Sequence, residues 1–367
     1  MMEKKKAIVF TRFPYESAWG GEESHTLNLA KYVQSHGFEP IFFGSCPILL
    51  QKFSELGFTV RNVWGGKMIV TPLELLKSFF LFPFMLWNLR RNFRALLREF
   101  DIKALYCLSL NEKLFLSPLV IRNKIPVTWV EHQEIRSWLL KNPWKFLYRS
   151  NAGYVKVVPI GKKNFSILKN VLKIPEDNLS PILHGVDVGK IENVKCKMKK
   201  GLIVYANRLI PKKGVQDFLV AVLPLLEKNP ELQVKVIGEG ELKNEVERFF
   251  PVQSFLKNEK WYEMLSQADI FVSCARDENE TFSLSTAEAM AAGCKVVVTT
   301  CCGIADYLTD KKNAFLVESN DPEDLSRGIS EALSSSDEIR EQAIGTAREK
   351  FDQEKMLLAY ESVILRS

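Results

Sequence analysis

The sequence has no long hydrophobic run. Its longest uninterrupted apolar stretch, Phe79–Trp87, falls far short of the ~20 residues that a bilayer-spanning helix needs, so a transmembrane span is excluded. Cysteine is scarce and unpaired in pattern: seven residues, an odd number, with no C-x-x-C pair, which does not make a disulfide or zinc framework. Lys4–Lys6 followed by Ala7–Phe10 is too short and too soon interrupted for a secretion signal. A reduced, cytoplasmic compartment is therefore expected. No internal repeat with a period of roughly 20–50 residues is present, and no low-complexity tract. Charge of one sign is not in great excess: the formal net charge is +6 and the pI near 8.8. With no long basic run, nucleic acid is not expected as a partner, whereas anionic small ligands or an anionic membrane surface suit the mild basicity.

What is there is ordinary globular material, 46% apolar and 26% charged over 367 residues, longer than the ~250–300 residues at which a single core stops growing. Two domains follow. In the first half, near-continuous β-branched and aromatic runs predict strands at Ala7–Thr11, Pro40–Phe43, Thr59–Val63, Ala104–Leu108, Val127–Glu131 and Val155–Ile160. Runs of that kind fit a parallel sheet covered on both faces. Helical patterns lie between them at Glu22–His36, Leu73–Phe100 and Lys162–Leu172. Gly185–Lys200 has no helical periodicity and ends in lysines, so the linker is placed there. The alternation then restarts, with strands predicted at Leu202–Ala206, Gln233–Ile237, Ile270–Ser273, Lys295–Thr299 and Ala314–Val317. Helices are predicted at Val215–Leu226, Glu241–Arg248, Glu259–Gln267, Thr286–Ala292 and Glu323–Leu333. The expected fold class is α/β: two Rossmann-like, doubly wound parallel-sheet domains facing a cleft, with ligand at the carboxyl ends of the strands.

The most informative stretch runs from Ser273, where a strand ends, to Gly293. A strand-to-helix loop offers unpaired backbone N–H groups and the positive end of a helix, a natural phosphate site. Glu280 lies in that loop and Glu288 in the early helix, both able to accept from sugar hydroxyls. A second reading stands beside this one: Ser285 followed by Glu288 is a capping box, in which the carboxylate only caps the helix. The loop from Tyr205 to Gly214 adds cations. Arg208 can fork onto a phosphate, and Lys213 adds a point charge at a helix start. Both loops end strands of one sheet, so Arg208, Lys213, Glu280 and the amides of Ser283–Ser285 are expected to face one crevice.

Together, R-L-x-x-x-K-G from Arg208 to Gly214, the pair Gly238 and Gly240, and the E-x7-E spacing of Glu280 and Glu288 with E-A-M-A-x-G resemble the nucleotide-sugar glycosyltransferases of the GT-B fold. The group is glycosyltransferase family 4, "group 1". Gly20 and Gly21 match that family's glycine-rich N-terminal loop, His184 to Asp187 its N-G-V-D hinge, and Phe351 begins a segment like its C-terminal crossover helix. The resemblance covers essentially the whole chain. It implies an acceptor-side domain at 1–184, a nucleotide-sugar domain at 185–350 and a helix at 351–367 crossing back to the first domain. It implies a retaining, metal-independent hexosyltransferase whose donor is a nucleoside diphosphate sugar, with no separate cofactor. Arg208 and Lys213 would neutralise the donor diphosphate, Glu280 would orient the sugar and Glu288 would accept from the ribose. Gly238, Gly240, Phe282, Ser283, Leu284 and Ser285 would line the donor site. Gly20 and Gly21 would bring backbone close to the phosphates and acceptor, and His132 would lie near the donor sugar.

The chain departs from the pattern at Thr281 and Ser283, at Lys295, at Asp306 and at His184, which leaves the donor's identity unread. With no D-x-D motif on a loop of the second domain, cationic side chains and helix ends are the expected stabilisers of the leaving group. An epimerase of the same architecture and a non-catalytic membrane-associated module are the competing classes. A dehydrogenase lacks a third glycine and a ribose acid after Gly240.

One further segment stands out. Arg90, Arg94 and Arg98 recur at i, i+4 spacing while Leu86, Leu89, Phe93 and Leu97 line another face, so 87–100 reads as a basic amphipathic helix. Pro83 is expected to separate it from the aromatic-rich run before it. Trp138, Lys141, Trp144, Lys145, Tyr148 and Arg149 repeat the aromatic–basic theme. Peripheral contact with the inner face of an anionic membrane, and a glycan or lipid-linked acceptor there, is the expectation.

Overall fold

The computed structural model describes residues 4–13, 20–66, 72–135, 137–194, 196–256, 259–277 and 280–365. Side chains at 72–80 and 137–138 lie outside that description, and with them Trp138 and the first two residues of the aromatic run. The chain divides into one unit of Met1–Ile182 with Leu357–Ser367 and another of Leu183–Met356.

In the first unit the strands are β1 (Lys6–Thr11), β2 (Glu39–Gly44), β3 (Thr59–Asn62), β4 (Asp101–Cys107), β5 (Val127–Glu131) and β6 (Lys156–Pro159). They form one parallel sheet in the order β3-β2-β1-β4-β5-β6. Helices cover both faces, so Ile8, Val9 and Phe10 are wholly buried. The order reverses between β1 and β4, which opens a crevice at their carboxyl ends.

Here the helix Pro72–Glu99 runs straight through Pro83, so the expected break is absent. Met85, Leu89, Phe93 and Leu96 are buried in the core of this unit. Their burial, worth about 1.5–3 kcal/mol per large apolar side chain, offsets the ~3 kcal/mol that an internal proline costs. The predicted helix from Lys162 becomes a π-turn over Ile167–Val171.

The second unit repeats the plan with β7 (Leu202–Ala206), β8 (Gln233–Ile237), β9 (Val252–Gln253), β10 (Ile270–Ser273), β11 (Lys295–Thr299) and β12 (Phe315–Val317). All pair in parallel, in the order β12-β11-β10-β7-β8-β9. The reversal falls between β7 and β10. The sequence reading missed β9, a two-residue edge strand, and overextended the helix at Lys243–Val246. It also took the linker as free of helix, whereas Val188–Asn193 is helical, started by the Asp187 carboxylate accepting from the Lys190 amide at 3.0 Å.

The segments at the two ends of this unit are tied together. Val186 N–H donates to the Phe351 carbonyl at 2.8 Å, and Gln353 N–H returns to Val186 at 3.0 Å. A Cβ on Gly185 would stand 2.5 Å from the Gln353 Cα. The last helix, Gln353–Leu365, then joins the first unit, where Tyr360 is wholly buried against His25 and Tyr106.

Candidate active site

The site of the second unit is built on the carboxyl ends of β7 and β10. After β7 the chain must turn tightly into the helix Val215–Lys228. Gly214 makes that turn at φ +70°, and a Cβ there would lie 1.8 Å from the Cys274 carbonyl, so only glycine fits. The Tyr205 hydroxyl donates to the Lys213 carbonyl at 2.8 Å, which fixes the loop from inside. From the other loop, the Arg276 amide donates to the Lys212 carbonyl at 2.9 Å. The Arg276 guanidinium forks onto Asp217 at 2.7 and 2.6 Å. The two loops are thus bolted to each other before any ligand arrives.

On that frame the Lys213 ammonium meets the Glu280 carboxylate. Burial and the neighbouring Arg208 guanidinium pull Lys213 down to about 8. Arg208 itself is exposed, while Leu209 beside it is wholly buried. Glu280 is held by its backbone: its carbonyl accepts from Gly303 N–H at 2.7 Å, and a Cβ on Gly303 would stand 2.0 Å from the Thr281 carbonyl.

Ser283 caps the helix Leu284–Ala291, its hydroxyl accepting from the Thr286 amide at 3.3 Å. This corrects the capping-box reading, which put the cap at Ser285. With the cap two residues earlier than that box requires, Glu288 is free of capping work. Its Oε2 instead accepts from the Trp261 indole N–H at 2.8 Å, and burial holds the carboxyl up to about 7. The sequence reading missed Trp261, and its only signal was a tryptophan on a helix next to the site strand. Leu284 and Ser285 form the partly exposed first turn, where amide donors lack intrahelical partners.

The remaining residues of the expected donor site act through backbone or packing. Phe282 is buried between His184 and Phe351, at ring distances of 5.7 and 5.3 Å. Burial keeps His184 neutral, its pKa down at about 4. Gly238 and Gly240 lie so close to the Asn207 and Leu209 carbonyls that a Cβ would come within 2.0 and 2.3 Å. They seat the loop after β8 against the one carrying Arg208, where Leu209 N–H donates to the Glu239 carbonyl at 2.9 Å.

In the first unit Gly20 is the extended N-cap of the helix Gly21–Ser35. Arg12, just past β1, pairs with Glu22 at 3.5 Å and with Glu23, and burial pushes Glu22 up to about 7. His132 follows β5, buried, its ring 5.3 Å edge-on from His25. His25 in turn shares a 3.1 Å hydrogen bond with the Tyr106 hydroxyl. Gly20, Gly21 and His132 thus gather at the carboxyl end of the first sheet, and Arg208, Lys213, Glu280 and Glu288 at that of the second.

Away from both, an open groove of about 640 Å³ runs along the helix Pro72–Glu99, lined by Phe82, Pro83, Leu86, Trp87 and four arginines, Arg90, Arg91, Arg94 and Arg98. Phe84 and Trp87 are more than half exposed and stacked, and the Arg91 guanidinium lies 5.3 Å over the Trp87 ring. Among the described residues no helix is long and apolar enough to cross a membrane.

Residues 190–350 match the family described as glycosyl transferases group 1. Among known sequences, the chain is 27% identical to the sulfoquinovosyl transferase SQD2 of Arabidopsis thaliana over 51% of its own length, but spans only 39% of that protein. It is 24% identical to an uncharacterized glycosyltransferase of Methanocaldococcus jannaschii over 100% of this chain and 99% of that one. Among solved structures, the HepE protein of Anabaena in complex with UDP superposes with a TM-score of 0.76 at 14% identity, covering 97% of this chain and 98% of that one. Residues 190–350 thus belong to the group 1 glycosyl transferases, and they sit in a chain that shares the GT-B fold of solved glycosyltransferases over almost its whole length.

Proposed function

We propose that the enzyme moves a hexosyl group from a nucleoside diphosphate sugar to an acceptor hydroxyl, with retention at the anomeric carbon and without a metal ion. The observation that carries this reading is the Lys213–Glu280 pair beside Arg208, next to the first turn of the Leu284–Ala291 helix. Two cations and a helix N-terminus suit a diphosphate. A carboxylate already held by the lysine suits the sugar hydroxyls next to it. As the bond from the anomeric carbon to the diphosphate breaks, the diphosphate keeps the electron pair, and Arg208 and Lys213 stabilise the charge that develops. The acceptor oxygen bonds to the anomeric carbon on the face the diphosphate leaves and passes its proton to the departing diphosphate oxygen. Glu288 accepts from the ribose, Gly20 and Gly21 serve the phosphates and the acceptor, and His132 serves the donor sugar. That HepE is solved with UDP supports a nucleotide donor here.

The acceptor we assign is a cell-envelope or lipid-linked glycan at the cytoplasmic face of an anionic membrane. The exposed tryptophan and four arginines of the Pro72–Glu99 helix support that place, since basic residues near such a surface contribute about 1 kcal/mol each.

A thermal-shift panel with UDP, GDP, ADP and their sugars tests the donor, because a ligand that binds only the native state raises its melting temperature. The donor so found is then supplied to the enzyme in EDTA, and the anomeric configuration of the product read by NMR. Transfer that needs added metal, or an inverted product, contradicts the corresponding part of the proposal.

A further inference from the structure

Trp261 lies on the helix Glu259–Gln267 and Glu288 on Leu284–Ala291. The indole is set edge-on to Phe271 of β10, at 6.3 Å and 74°, so its N–H has a fixed direction. That N–H is 2.8 Å from Oε2 of Glu288. Among the described residues nothing donates a hydrogen bond to the other oxygen, Oε1. An indole N–H can only donate, so it holds an accepting oxygen in place and cannot compete with a ligand for the second one.

The surroundings make this contact consequential. Tyr262, on the same helix as Trp261, is the titratable neighbour of Glu288; burial and that carboxylate both hold its phenol in the neutral form. Asp187, the next acid, is taken up by Lys190 at 2.6 Å. Burial raises the Glu288 carboxyl, and the indole hydrogen bond is what opposes that rise.

We propose that Trp261 is a positioning residue for donor binding, fixing Oε2 of Glu288 so that Oε1 is presented to the two hydroxyls of the donor's ribose. The proposal rests on the reading of Glu288 given above, and goes beyond it by naming the group that aims the carboxylate.

The test compares a ribonucleoside diphosphate with its 2′,3′-dideoxy form, using whichever of UDP, GDP or ADP stabilises the protein most. Dissociation constants are measured by calorimetry from pH 5.5 to 8.5. Trp261→Phe keeps a ring against Phe271 but removes the donor. Should it fold poorly, 3-benzothienylalanine at position 261 replaces the N–H by sulfur at nearly constant shape. Losing a hydrogen bond to the charged form lets the Glu288 pKa rise, so ribonucleotide binding should set in at higher pH. At pH 7 the ribonucleotide should bind on the order of tenfold more weakly, while the dideoxy form binds as to the wild type. A variant that keeps the wild-type ratio of the two constants and the same acid limb overturns the proposal and leaves the Glu288 reading intact. Equal weakening of both nucleotides overturns it too, as general damage. A wild type that does not distinguish the two nucleotides, or binds neither, removes the Glu288 reading and the proposal with it.

Discussion

Each unit carries a lysine–glutamate pair at the carboxyl end of its sheet, and the two pairs are built for opposite ends. In the first unit Lys113 meets Glu131 at 2.7 Å with side chains 3% and 5% exposed. The same ammonium also reaches the Val130 carbonyl at 2.6 Å, and the Tyr148 hydroxyl donates to the same Glu131 oxygen at 2.6 Å. In the second unit the Lys213 and Glu280 side chains are 13% and 16% exposed, and the ammonium has Arg208 for a neighbour. The closed pair consumes its hydrogen-bonding capacity within the protein. The open pair keeps like charges together and leaves both partners within reach of a ligand, which is how a site differs from a strut.

The largest expected effect separates the two directly. Lys213→Ala should leave a folded protein whose transfer rate is lower by ~10²–10³, the usual loss when a group at developing charge is removed. Lys113→Met should do the reverse. It strands a buried carboxylate at a cost of ~3–5 kcal/mol, seen as a fall in melting temperature, while transfer per folded molecule stays nearly constant. Near-normal transfer in a folded Lys213→Ala protein, or a stable but inactive Lys113→Met protein, would invert the comparison.

A second effect sharpens it through pH. On the proposed roles donor binds with Lys213 charged and Glu288 ionised, so kcat/KM should fall on the alkaline side as Lys213 loses its proton near pH 8. On the acid side it should fall as Glu288 gains one near pH 7. Lys213→Arg cannot deprotonate in this range and should flatten only the alkaline limb, at reduced rate. Glu288→Gln should lose the acid limb and weaken donor binding on the order of tenfold, with the melting temperature almost unmoved. An alkaline limb that survives in Lys213→Arg belongs to another group.

The smallest effect concerns the groove, where the charges are neither buried nor paired into a site. Changing Arg90, Arg91 and Arg94 to Glu should abolish co-sedimentation with anionic liposomes, leave neutral liposomes unaffected, and alter transfer to a soluble acceptor less than twofold. Binding by the wild type should also weaken as salt rises. A wild type that ignores anionic liposomes at low salt would disprove the membrane placement.

Much of the fold could be read from sequence because parallel strands buried on both faces leave an unbroken apolar signature. Val127–Glu131, Leu202–Ala206, Ile270–Ser273 and Lys295–Thr299, buried throughout, begin and end where the sequence pattern places them. The signature fails where burial is partial or the element short. β9 has two residues at a sheet edge, and Val188–Asn193 is a six-residue helix announced only by its cap, Asp187. Pro83 was misread because a local rule about proline met a helix anchored by tertiary burial. At the site, Arg208, Lys213 and Glu280 were legible as chemistry on strand-to-helix loops. The Trp261–Glu288 bond was not, since it joins residues 27 apart on two helices, and no local pattern encodes that. Ser283 and Ser285 are both good caps by type, so only the backbone could choose between them.

The return of the last helix to the first unit sets an order of assembly. Residues 183–356 form one contiguous unit whose two ends are tied at Val186 and Asp352, so it can close while the chain is still being made. The first unit cannot. Tyr360 fills its core beside Tyr106, and Glu361 accepts from the Tyr32 hydroxyl at 2.7 Å, so the half synthesised first is the half completed last. During translation the second unit is expected to mature first, leaving the other unit's incomplete core exposed to chaperones and proteases until its final turns emerge.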